Sequence, residues 1–74
     1  MQNSGTITVN NTKVNYQIKY LENPSKLGIN GGRISKLYCK INDTCIMSYE
    51  RYWEETPKTE VARKVLAKLV NEFN

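Results

Sequence analysis

The chain has 74 residues, no histidine, two cysteines, and eleven Lys and Arg against seven Asp and Glu, for a formal net charge of +4. This length makes one small domain over residues 1–74, and the missing histidine removes Ser-His and Cys-His nucleophile pairs. Two cysteines outside a Cys-x-x-Cys spacing cannot complete a zinc site, so no metal and no cofactor is expected, and the positive charge favours an anionic partner.

The opening stretch MQNSGTITVN has neither a basic start nor an apolar run. No segment approaches the roughly 18 apolar residues of a membrane span. The expectation is a cytoplasmic chain with reduced thiols and no membrane partner. In TITVNNTKVNYQIKY, Ile7 and Val9 share one alternating phase and Val14, Tyr16, Ile18 and Tyr20 share another. A turn at Asn11-Thr12 would pair Val9 with Val14 and Ile7 with Tyr16, placing every apolar residue on one side. A long irregular connection follows, punctuated by Asn23-Pro24 and by Gly28, Gly31 and Gly32.

Leu37, Cys39 and Ile41 alternate, as do Cys45, Met47, Tyr49 and Trp53. A three-residue loop at Asn42 to Thr44 pairs Ile41 with Cys45, Cys39 with Met47 and Leu37 with Tyr49. The cysteines then lie diagonally on one face, about 7–8 Å apart, too far for an unstrained disulfide. Trp53 fits the junction of sheet and helix as a core plug. The last segment is a helix, with Thr56 as cap and Pro57 at the first helical position. Val61, Ala62, Val65, Leu66, Leu69, Val70 and Phe73 form its apolar stripe, and Glu60 and Lys64 an i,i+4 pair. The predicted architecture is α+β: a four-stranded antiparallel sheet of two hairpins with one C-terminal helix packed on one face.

Two groups of residues could carry binding. In GINGGRISK, Gly31 and Gly32 allow close backbone approach and an anion-binding nest, with Arg33 as a bidentate donor and Ser35 and Lys36 as further donors. The segment lacks the Gly-Lys-Ser/Thr ending of a Walker loop and precedes a strand, so a tight turn between hairpins is the competing reading. The outward sheet face is the second group. There Lys19, Tyr38, Lys40 and Tyr52, with Gln17, Lys36 and Glu50, could stack bases and neutralise phosphates; tyrosine's strand propensity and lysine's solubility explain the same pattern without a ligand. Glu50, Glu54 and Glu55 cluster in sequence, and the last two suit the start of the helix.

LGINGGRISKLY, followed by YERYWEETP and a short closing helix, resembles a group of very short proteins carried by phages and mobile elements of Gram-positive bacteria. These share a Gly-Ile-x-Gly-Gly-Arg-Ile-Ser-Lys-Leu core and then a Tyr-Asp-Arg-Gly-Trp-like stretch. Tyr49, Arg51 and Trp53 correspond to the second stretch, whereas Glu50 and Tyr52 depart from it. The resemblance implies a phage or mobile-element origin, hence the cytoplasm of a bacterial host, and attaches no activity.

The functional expectation is a non-enzymatic, stoichiometric inhibitor of a host defence system that binds an anionic or nucleotide ligand. The alternatives are a protein–protein inhibitor using the sheet or helix face on a host protein, and a single-stranded nucleic-acid binder. With so few apolar side chains to cover a sheet and a helix, a homodimer or higher oligomer is expected.

Overall fold

A computed structural model describes all residues 1–74. The elements are β1 (Gln2–Val9), β2 (Thr12–Tyr20), a single 3-10 turn (Ile29–Gly31), β3 (Ile34–Ile41), β4 (Thr44–Glu50), β5 (Trp53–Glu55) and α1 (Glu60–Phe73). The strands form one antiparallel meander in the order β1-β2-β3-β4-β5, and α1 packs against it. The α+β class with a C-terminal helix is therefore as expected, with a short fifth strand added to the sheet. No helix is long and apolar enough to cross a membrane.

Turn chemistry sets the first register. The turn lies at Asn10-Asn11, at φ 52° and 62°, not at Asn11-Thr12. A two-residue turn of this hand needs positive φ at both central positions, which asparagine tolerates and β-branched threonine resists. Ile7 therefore faces Val14, Val9 faces Thr12 and Gly5 faces Tyr16. The slip is two residues, so the buried phase survives.

The second hairpin also differs from expectation at its tip. Its loop is Asn42-Asp43, Ile41 faces Thr44, and Cys45 faces Lys40 rather than Ile41. A tight loop would put the strands out of phase, and a bulge at Ile46 restores it. Beyond the bulge, Cys39 faces Met47 and Leu37 faces Tyr49, as the alternation predicts. Both cysteines are free thiols.

The helix begins later than Thr56. Thr59 is the N-cap, its side-chain oxygen accepting from Ala62 N at 3.1 Å. β5 runs to Glu55 at the sheet edge, and Thr56–Lys58, outside any helix or strand, must span from there to a helix that lies nearest β1 and β2. Extended backbone covers about twice the distance per residue of a helical turn. The Glu60–Lys64 ion pair forms at 3.3 Å.

Val14, Ile18, Ile34, Leu37, Cys39, Met47 and Tyr49 of the sheet and Ala62, Val65, Leu69 and Phe73 of the helix are buried, and no polar or charged residue is. Val61, Leu66 and Val70 flank the stripe half-buried. Phe73 closes one end on Tyr20, with ring centroids 5.0 Å apart. Trp53 is half-buried and meets Tyr49 edge to face at 5.1 Å.

Truncation of the stripe should therefore depend on position. Leu69→Ala removes a fully buried side chain and should cost about 2–5 kcal/mol, most of the stability of so small a domain. Leu66→Ala, at the rim, should cost clearly less. Urea denaturation midpoints of the two variants check the order, and equal losses would mean that the stripe is centred elsewhere.

Candidate functional site

The glycine segment is packed, and its donors are spent inside the chain. Gly31 N donates to Gly28 O at 3.0 Å, Gly32 N to Ile29 O at 2.9 Å and Ser25 N to Gly32 O at 2.9 Å. The Gly31 and Gly32 amides are those of the expected anion nest. Asn30 and Gly31 carry the turn at φ 54° and 68°. Asn74 then clamps the loop: its Nδ2 donates to Ile29 O and its Oδ1 accepts from Ile34 N, both at 3.0 Å. Tyr49 Oη donates to Leu27 O at 2.8 Å from the other side. A Cβ on Gly32 would run into the Asn74 carboxamide, and one on Gly28 into the carbonyl of Gly32. Neither obstacle can yield without breaking these hydrogen bonds.

The loop's polar side chains do not converge. Arg33 Nε donates to Leu21 O at 2.8 Å, and its guanidinium lies 5.3 Å from the centre of the Tyr20 ring, the ring that also packs on Phe73 of the helix. Ser35 is the extra residue of a bulge between β2 and β3, and its Oγ donates to Lys19 O at 3.3 Å. Lys36 is in the opposite phase, on the outer face, where its Nζ meets Glu50 Oε2 at 3.5 Å. The five residues Gly31, Gly32, Arg33, Ser35 and Lys36 are thus neighbours in sequence but divided between loop, helix side and outer face.

The outer face does bring chemistry together. Registers place Gln2, Lys19, Lys36 and Glu50 side by side across four strands, and Ser4, Gln17, Tyr38 and Ser48 in the next row. Lys40 stands one row further, opposite Asn15. A shallow concavity of about 480 Å³ opens here, lined by Gln2, Ser4, Gln17, Lys19, Lys36 and Tyr38 among others. Tyr38 is 37% exposed, so the ring is half available while its strand is held. Tyr52 is not on this face: it sits in the β4–β5 turn, 66% exposed, beside Arg51 at φ 68°. Sequence reasoning missed Gln2 and Ser4 because it began β1 at Thr6. Gln2 to Gly5 include no apolar residue to alternate with, and it is the register with β2 that puts Gln2 and Ser4 on the outer face.

The cysteines stand apart from this site. Burial, and secondarily the neighbouring Cys45, push the Cys39 thiol up to about 12. Such a thiol is an inert core group, not a nucleophile.

The family model for a domain of unknown function, DUF7678, matches residues 1–74. The chain belongs to that family. No curated protein and no solved structure matches it.

Two outcomes follow. Gly32→Ala should cost about 1–3 kcal/mol by displacing Asn74, as overpacking does, and the loss should show as a lowered melting temperature. The Cys39 thiol should make stability fall with alkali. Below its ordinary value of 9.0 both states are protonated; between there and about 12 only the unfolded chain releases the proton, which favours unfolding. Urea midpoints should decline over that window, and Cys39→Ala should flatten the decline.

Proposed function

We propose that the chain is a small non-catalytic binding protein that acts stoichiometrically by holding an anionic ligand of nucleotide type on the outer face of its sheet. The observation that carries this reading is the Lys19–Lys36 pair, two like charges directly opposite on adjacent strands. Such a pair costs the fold on the order of 0.2–1 kcal/mol, and Glu50, itself half-exposed, relieves it weakly. An anion seated between the ammonium groups converts repulsion into two charge-assisted hydrogen bonds. Tyr38, one row along, offers a ring face for a base, and Gln17 and Gln2 offer amides for its edge. A volume of about 480 Å³ suits a mononucleotide-sized ligand.

A single-stranded nucleic acid is the second reading, favoured by Lys40, which continues the line of lysines on the same face. The likeness of the GINGGRISKL segment to short phage and mobile-element proteins supports the wider setting. In that setting the chain works in the cytoplasm of a bacterial host and inhibits a defence system by sequestering its nucleotide signal.

Titration of the ¹⁵N-labelled protein with AMP, a cyclic dinucleotide and an oligothymidylate tests this. The expected result is saturable perturbation of the Lys19, Lys36 and Tyr38 amides by one of the mononucleotide-sized ligands. Lys19→Ala and Lys36→Ala should each weaken that binding about tenfold or more without lowering the melting temperature, since each also relieves the like-charge repulsion. Binding of the oligothymidylate alone, steeply weakened by salt, would select the second reading. No response to any of the three would remove both.

A further inference from the structure

The two edges of the sheet are built differently. β5 is three residues long and carries Glu54 and Glu55, so it is short and charged, two devices that keep an edge from pairing. β1 has neither. It is eight residues long with no charged residue and no proline, and it pairs with β2 without a bulge. No intrachain element pairs with its free side.

The ladder shows which groups point outward. Met1 N donates to Tyr20 O at 2.8 Å and Tyr20 N to Met1 O at 2.9 Å, so residues 1 and 20 exchange both bonds. The register then runs unbroken to Val9. Antiparallel alternation therefore turns the backbone groups of Asn3, Gly5, Ile7 and Val9 toward β2. It aims the N–H and C=O groups of Gln2, Ser4, Thr6 and Thr8 out of the edge.

We propose that a second copy of this chain pairs antiparallel with the first along β1, joining two five-stranded sheets into one. One register uses every outward group. Gln2 lies opposite Thr8 of the second copy and Ser4 opposite Thr6 of the second copy, with the reciprocal pairs completing the ladder. Gly5 then meets Gly5 of the second copy on the two-fold axis, in a non-hydrogen-bonded pair where backbones come closest, about 4.5 Å between Cα atoms. A residue without a side chain is well placed there, and Tyr16 already covers Gly5 from within its own chain. The uncharged, palindrome-tolerant row of Gln, Ser, Thr and Thr fits its own copy without repulsion, which is why a second copy, rather than a foreign peptide, is the occupant. The pairing also brings the second copy beside the outer concavity, since Gln2 and Ser4 of the edge strand line it. It does not depend on what that concavity binds.

Sedimentation velocity and amide hydrogen exchange test the proposal on the full chain. The wild type should sediment as a dimer. At high concentration the amides of Gln2, Ser4, Thr6 and Thr8 should exchange at least about tenfold more slowly than on dilution, while those of Asn3, Gly5 and Ile7 stay protected throughout. Ser4→Pro removes one outward N–H and no bond to β2, so it should give a monomer with an unchanged far-UV spectrum. Should that variant fail to fold, the wild-type exchange pattern decides alone. A monomer at all concentrations, a dimer that leaves the four even-numbered amides unprotected, or binding only to a foreign extended peptide would overturn it.

Discussion

One helix has to cover one face of a five-stranded sheet, and it is too narrow to do so. An α-helix with its side chains is about 10–12 Å wide, roughly two strands at about 4.8 Å each. Here α1 lies nearest β1 and β2. The inner side of β3, β4 and β5 needs other cover, and the long β2–β3 connection supplies it. Ile29 is driven into the core from that connection, Trp53 closes from β5, and Tyr49 ties the loop down through Leu27 O. The loop is a second lid on the core, and its ordered backbone follows from that duty.

The glycine-rich segment takes its meaning from this lid. To bring Ile29 under cover, the chain must make a 3-10 turn and then pass beneath the last side chain of the helix end. Asn74 reaches back to both sides of the turn, so a residue 42 positions away in sequence fixes why Gly32 has no side chain. Local reasoning sees flexible glycines beside an arginine and infers an anion cradle. The same residues, seen with Asn74, Tyr49 and Tyr20 in place, form a clamped turn whose Ile29 alone carries a buried side chain, and a cation set over an aromatic ring.

Much of the fold was legible because hydrophobic phase is local. Alternation in β2, β3 and β4 and the stripe of α1 identify the core almost residue by residue. What stayed hidden depended on features without apolar signal. β1 extends back to Gln2 on small polar residues, β5 is three residues long, and the Ile46 bulge lets a two-residue loop coexist with the right phase. The helix start shifted from Thr56 to Thr59 because either threonine can cap; the distance from the sheet edge to the helix decides between them. Among binding residues, Lys19, Lys36, Tyr38 and Lys40 followed from alternation, whereas the dispersal of Arg33 and Ser35 required the β2–β3 register.

That register contains the step that couples core to surface. Ile34 and Leu37 are both buried yet three residues apart, a spacing that a regular strand would send to opposite faces. The extra residue at Ser35 resolves the conflict, letting Tyr20 face Ile34 on the inside while Lys19 faces Lys36 on the outside. Without it, burying Ile34 would turn Lys36 toward the core, where an ammonium group is untenable, or burying Leu37 would expose Ile34. The bulge thus satisfies the lid and the strand together. The lysine pair follows from it: the side-chain arrangement most suited to an anion stands where the demands of packing placed an irregularity, and Ser35 holds that irregularity by bonding the carbonyl of Lys19 itself.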